Sequence, residues 1–113
     1  MTTIEYLFSY GTLQLEAVQL STFKRTLRGC ADRLPGYSLT LLEISDPSVV
    51  ALSGKTHHPI VTPSADPAAA VEGVVFEVTA EELLVSDEYE VDDYRRVKLP
   101  LESGKVAWVY VKA

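Results

Sequence analysis

Residues 106–111 (VAWVYV) are apolar at every position. A strand with one wet face alternates apolar and polar residues, whereas a strand without that alternation is covered on both faces. The segment is therefore predicted to be a central strand, which needs a neighbour along each edge. With 113 residues the sequence has the size of one domain. The other segments must supply the neighbouring strands and the covering layers.

Residues 4–9 (IEYLFS) are strand formers and almost wholly apolar apart from Glu5, with Ile4, Tyr6 and Phe8 on one face. Tyr10-Gly11-Thr12-Leu13 breaks that run, with Gly11 as the flexible point. A weak helical pattern follows over 14–26, with Leu13, Ala17 and Leu20 at helical spacing. Leu34-Pro35-Gly36-Tyr37 reads as a turn, 38–44 as a strand, 45–48 as a turn and 48–52 as a short apolar run. The Pro-, Ser- and Ala-rich stretch 54–70 reads as a long surface loop with a brief extended piece at 59–61. Residues 71–78 (VEGVVFEV) alternate, placing Val74, Phe76 and Val78 on one face, and Gly73 among them suggests a bulge or a close backbone approach. Thr79 and Glu82 form a capping box. The helix it opens is expected to turn Leu84, Val85 and Tyr89 inward and to end near 89–91. Residues 95–101 read as a strand and 102–105 as a hairpin turn leading into 106–111. Residues 1–113 are thus expected to form a single α+β domain: a small mixed β-barrel or strongly curled sheet of five to six strands with short flanking helices.

Composition narrows the partners. Ten Lys and Arg face sixteen Asp and Glu, a net charge of −6, with no cationic cluster to grip nucleic acid or an anionic membrane. No window approaches the ~20 apolar residues of a bilayer span, and the first residues have no cationic leader, so a cytoplasmic location is expected. Cys30 is the only cysteine, which rules out an intrachain disulfide, and it reads as a small buried residue. His57 and His58 are a poor metal pair, because adjacent residues of an extended chain point apart. Trp108 reads as core. Ser9 lacks the Gly-x-Ser-x-Gly setting of a nucleophile elbow.

Two stretches could carry chemistry. A Gly-containing loop between a core strand and a helix, here Tyr10 to Leu13, can turn several backbone N–H groups into one concavity that suits a carboxylate. The same residues also fit a plain strand-ending turn. The second stretch belongs to an acidic run. Seven of the sixteen acids fall between Glu81 and Asp93, with no Lys or Arg among them. A helix end crowded with carboxylates opposes the helix dipole, and repulsion or burial there raises the pKa of one acid toward the range of proton shuttling. Tyr94 and Arg95 or Arg96 stand close by as donors. A solvated acidic face remains the other reading.

Together the segments YLFSYGTL, LPGY, VEGVVFEV, DEYE followed by Y-R-R, and AWVYV resemble the γ-glutamylcyclotransferase-like family, which includes γ-glutamylamine cyclotransferases and the AIG2-like proteins. The resemblance covers essentially the whole chain. It implies a small mixed β-barrel with flanking helices. It also implies an enzyme that cyclises the γ-glutamyl group of a small γ-glutamyl amine or amino acid to 5-oxoproline and releases the amine. The family's YG[ST]L loop holds the glutamyl part of the substrate and maps to Tyr10, Gly11, Thr12 and Leu13. The catalytic Glu maps to Glu90, and the Tyr of the following Y-x-R to Tyr94, expected to line the site. Asp87, Asp92 and Asp93 would raise the pKa of Glu90. No metal or organic cofactor is implied, and the expected partner is the small γ-glutamyl substrate. Where the family often has Leu before the Asp and Gly after the Glu, this chain has Ser86 and Val91. Those departures motivate an alternative: a non-catalytic binding or interaction module that keeps the barrel and the anion loop.

Overall fold

The computed structural model describes residues 4–43, 57–89 and 94–112. The expected turn and apolar run at 45–52, the start of the 54–70 loop, and Glu90 with Val91, Asp92 and Asp93 lie outside the described residues.

Seven strands are described: β1 (Ile4–Ser9), β2 (Arg28–Pro35), β3 (Tyr37–Glu43), β4 (His57–Pro63), β5 (Ala70–Thr79), β6 (Tyr94–Pro100) and β7 (Val106–Lys112). A 3₁₀ turn (Thr12–Gln14) and helix α1 (Glu16–Phe23) follow β1, and helix α2 (Ala80–Tyr89) follows β5. Five strands form one sheet in the order β2-β5-β1-β7-β6, and β3 and β4 pair separately. β1 and β7 run parallel, while the other pairs are antiparallel. The expected barrel is therefore not closed among the described residues. Backbone pairing breaks at Gly36, whose φ of +81° turns the chain sharply between β2 and β3. The large sheet nevertheless curls until its edges touch at one place. There Glu102 N–H donates to Arg33 O at 2.9 Å, and the Ser103 hydroxyl donates to the Asp32 carboxylate.

The central place expected for 106–111 is observed, between β1 and β6. Ala107, Val109 and Val111 join Phe8, Val71 and Val75 in a core covered by the β3–β4 hairpin, to which Val61 contributes. Tyr110 faces the other way, into a core of Leu7, Leu13, Phe23, Phe76, Val78 and Leu83 under the two helices. The molecule thus has three layers: helices, curled sheet and hairpin. Among the described residues no helix is long and apolar enough to cross a membrane.

Several expectations need correction. No element is predicted over 28–33, yet all of Arg28–Pro35 pairs with β5. It is an edge strand on which only Leu34 is buried, so it carries no apolar alternation. Residues 57–63 are a strand rather than a loop, with Ile60 and Val61 buried. Cys30 is exposed, because the edge strand that carries it is exposed. Leu84 and Val85 point outward, and the buried face of α2 is Leu83 and Ser86. On α1, Ala17 and Leu20 are exposed while Gln19 and Phe23 are buried. Gln19 tolerates burial because its amide nitrogen donates to Leu13 O at 2.8 Å and its amide oxygen accepts from Leu27 N at 2.9 Å.

The capping box forms as expected. Glu82 N–H donates to Thr79 Oγ1 at 3.1 Å, and Thr79 N–H donates to Glu82 Oε1 at 2.9 Å. The Glu82 carboxylate also takes two hydrogen bonds from the Arg25 guanidinium, at 2.7 and 2.8 Å. Arg25 above all holds the Glu82 carboxyl below the ordinary glutamate value, against the opposing effect of partial burial. A carboxyl with a depressed folded-state pKa contributes stability above its unfolded value, and that contribution disappears as pH falls through the folded value. Glu82→Gln is therefore expected to destabilise by about 1 kcal/mol at pH 7. The gap to the wild type should narrow as pH falls below the ordinary glutamate value and close once it has passed the lower folded value, read from urea midpoints at neutral and acid pH. A gap of equal size in acid would show that charge plays no part.

Candidate active site

The loop after β1 is the first part of the site. Ser9 is buried, and the chain then turns through Tyr10 and Gly11 into the 3₁₀ turn at Thr12–Gln14. Gln14 Nε2 donates to Ser9 O at 2.7 Å, and Gln14 N–H donates to Gly11 O at 3.2 Å, so the turn is braced from within. Leu13 is 2% exposed and plugs the helix-side core. Gly11 N–H lies 3.3 Å from Ser9 Oγ and so is aimed at its own strand end. Gly11 has φ −137°, and a Cβ built on it meets no atom of the described residues within 4 Å.

Tyr10 packs partly buried against the hairpin-side core, and its hydroxyl donates to Tyr110 O at 2.5 Å. Tyr94, the first residue of β6, pairs with Lys112 and packs partly buried against the helix-side core that also holds Leu13 and Tyr110. Its hydroxyl donates to Pro59 O at 2.5 Å, tying β6 to β4. Tyr94 and Leu13 thus share one cluster, while Tyr10 enters from the other face of the sheet.

Glu90 lies outside the described residues; those on either side of 90–93 are described. It follows Tyr89, the last residue of α2, and residues 90–93 join α2 to β6. The end of α2 is fastened to β7. Ser86 is fully buried, with Oγ 2.8 Å from the Tyr110 hydroxyl, and Asp87 Oδ1 lies 2.7 Å from the same hydroxyl. Both oxygens of Asp87 accept from Arg96, at 2.8 and 2.9 Å. The Arg96 guanidinium chiefly, and then the Tyr110 hydroxyl, hold the Asp87 carboxyl below the ordinary aspartate value, although partial burial opposes them. Arg96 in turn stacks 4.3 Å from the centre of the Trp108 ring, with Lys98 Nζ at 5.4 Å. Asp87 is therefore held ionised, its charge compensated by Arg96. Arg95 is exposed, and of the two arginines it is Arg96 that faces the acidic helix end.

Sequence reasoning missed Tyr110, the residue on which both stretches converge. No local signal marks it, since in sequence it is one apolar residue of a core strand. Among the described residues no three of His, Cys, Asp and Glu converge as metal ligands would.

Residues 7–113 match the family described as gamma-glutamyl cyclotransferase, AIG2-like. No curated protein matches the chain. Its fold is similar to the solution structure of an Arabidopsis thaliana protein (TM-score 0.73, 24% identity), over 99% of this chain and 64% of that one. It is also similar to a structure named gamma-glutamyl cyclotransferase (TM-score 0.69, 20% identity), over 98% of this chain and 68% of the other. A crystal structure of an uncharacterised Homo sapiens protein aligns with TM-score 0.71 and 22% identity, over 97% of this chain and 67% of that one. At these identities the likeness is one of fold, and the chain spans about two thirds of the length of each of these proteins.

Proposed function

The chain belongs to the AIG2-like γ-glutamyl cyclotransferase family, and on that premise we propose that it cyclises the γ-glutamyl group of a small γ-glutamyl amine or amino acid to 5-oxoproline. The free α-amine of the substrate attacks its own γ-carbonyl carbon. The bond from that carbon to the leaving nitrogen breaks, and as the substrate's α-ammonium becomes the ring N–H its nitrogen gives up two protons, which the departing nitrogen takes to leave as an ammonium. Both reacting groups sit on one molecule, so orientation contributes much of the acceleration, as effective molarities of about 10⁵ M or more illustrate. In this reading Glu90 takes a proton from the ammonium and returns it to the leaving nitrogen. The turn of Tyr10, Gly11, Thr12 and Leu13 holds the glutamyl half, with the backbone N–H groups of Thr12 and Leu13 toward the α-carboxylate or the developing oxyanion, while the Gly11 N–H stays on Ser9 Oγ. Tyr94 lines the same site. We place the reaction in the cytoplasm, in keeping with the lone, exposed thiol of Cys30.

The observation that carries the reading is the open side of Gly11. Among the described residues that glycine has no neighbour within 4 Å of the Cβ position, in the turn that follows a central strand. Such a bare backbone is where a ligand can approach closely. Gly11→Ala is therefore expected to keep stability within about 1 kcal/mol and to weaken substrate binding about tenfold or more. Unchanged KM would remove the loop from the site.

The reading as a whole is tested by incubating the protein with a panel of γ-glutamyl amines and γ-glutamyl dipeptides and measuring 5-oxoproline by mass spectrometry. Release from at least one donor is expected. A thermal shift with γ-glutamyl compounds but no product from any would instead mark a binding module.

A further inference from the structure

Resting on the cyclotransferase reading, we propose that Tyr110 is a positioning residue that holds the two halves of the site in register. Its backbone oxygen accepts from the Tyr10 hydroxyl, on the loop that grips the glutamyl group. Its own hydroxyl lies 2.8 Å from Ser86 Oγ and 2.7 Å from Asp87 Oδ1, in the last turns of the helix that leads to Glu90. A phenol has one proton, and a carboxylate can only accept. The Tyr110 proton therefore goes to Asp87, and Ser86 donates to the phenol oxygen. The two hydroxyls, on buried Ser86 and Tyr110, meet the half-exposed Asp87 carboxylate, and Arg96 closes the charge on Asp87.

The helix needs these ties because packing holds it weakly. Leu84 and Val85 are exposed, and along the described face only Leu83 and Ser86 are buried. Tyr110, by contrast, is 6% exposed on a strand with neighbours on both edges. The rigid centre of the sheet thus sets both the loop and the helix end. The departure at Ser86 acquires a reason here: its hydroxyl supplies the second partner of the phenol, where a leucine would supply none.

The test is Tyr110→Phe, which keeps the ring and the backbone acceptor and removes only the hydroxyl. Expected are a fall in kcat of about 10- to 100-fold with KM within about twofold, and faster amide exchange over residues 86–89 while β1 and β5 stay protected. Ser86→Ala should give the same pattern more weakly, and the double variant no more than Tyr110→Phe alone. Val71→Ala, in the opposite core, lowers the melting temperature without touching kcat, which separates positioning from general destabilisation. In an active protein, unchanged kcat or unchanged exchange at the helix end in Tyr110→Phe overturns the proposal. If the wild type turns over no γ-glutamyl donor, the cyclotransferase reading falls and exchange alone decides. Accelerated exchange keeps the tie, and unchanged exchange removes it.

Discussion

Replacing Glu90 by Gln lowers the rate of 5-oxoproline release by about 10²- to 10⁴-fold, the range of a lost general acid–base group. The amide keeps the size and shape of the side chain but cannot take a proton at neutral pH. The substrate's ammonium then has to lose its proton to water before its nitrogen can attack. What survives is the orientation of amine and carbonyl by the Gly11 turn, so KM is expected to change little and the residual rate to exceed that in solution. With Glu90 as the proposed base, the wild type is expected to lose rate on the acid side and the Gln variant to lack that limb. Steady-state kinetics across pH on the best donor from the panel decide the matter. Equal rates for the two proteins would show that Glu90 is not the base.

Gly73→Ala produces the largest loss of stability expected of so small a change, about 3 kcal/mol or more. A Cβ at that position would lie 2.4 Å from Ser9 O and 2.7 Å from Phe8 Cζ. Phe8 is 1% exposed, and Ser9 O belongs to the backbone of a strand paired on both edges. A side chain can rotate away, but a backbone oxygen in the centre of a sheet cannot. The same oxygen accepts from Gln14 Nε2, so strain there passes directly to the 3₁₀ turn and the loop before it. Alanine ordinarily gains about 0.5–1 kcal/mol over glycine inside a strand, and the clash exceeds that gain. Urea unfolding should show a lower midpoint with an unchanged slope. Adding Phe8→Leu relieves only the ring contact and should not restore stability. Full rescue would mean that the backbone contact is tolerated.

The elements legible in the sequence are those whose neighbours impose a local pattern. β5 turns Val74, Phe76 and Val78 toward the helices and Val71 and Val75 toward the hairpin, and β7 is apolar throughout because it is central. The capping box is local by construction. β2 and β4 were illegible for the opposite reason: a solvated edge strand needs no apolar period, and the two prolines and two histidines of β4 imitate a loop. The faces of the helices were misread where polar groups take core positions. Gln19 and Ser86 are buried because partners reached from elsewhere satisfy them, and no helical periodicity records such partners. The Tyr10–Leu13 loop stood out through its glycine. The tie between that loop and the acidic helix end did not, because it runs through Tyr110, 100 residues from Tyr10 and 23 from Asp87.

The parallel pairing of β1 with β7 also governs the order in which this molecule can be made. The first described strand cannot gain its second neighbour until the last described strand has been synthesised. Until then the growing polypeptide carries β1 with one edge unpaired and its two cores half covered. Closing a loop of that length before any contact rewards it places the chain among the slower small folders, on a scale of about milliseconds to seconds. Tyr110 arrives within that final strand. Ligand-binding competence should therefore be the last property acquired during refolding, appearing together with the sheet's centre rather than with its helices.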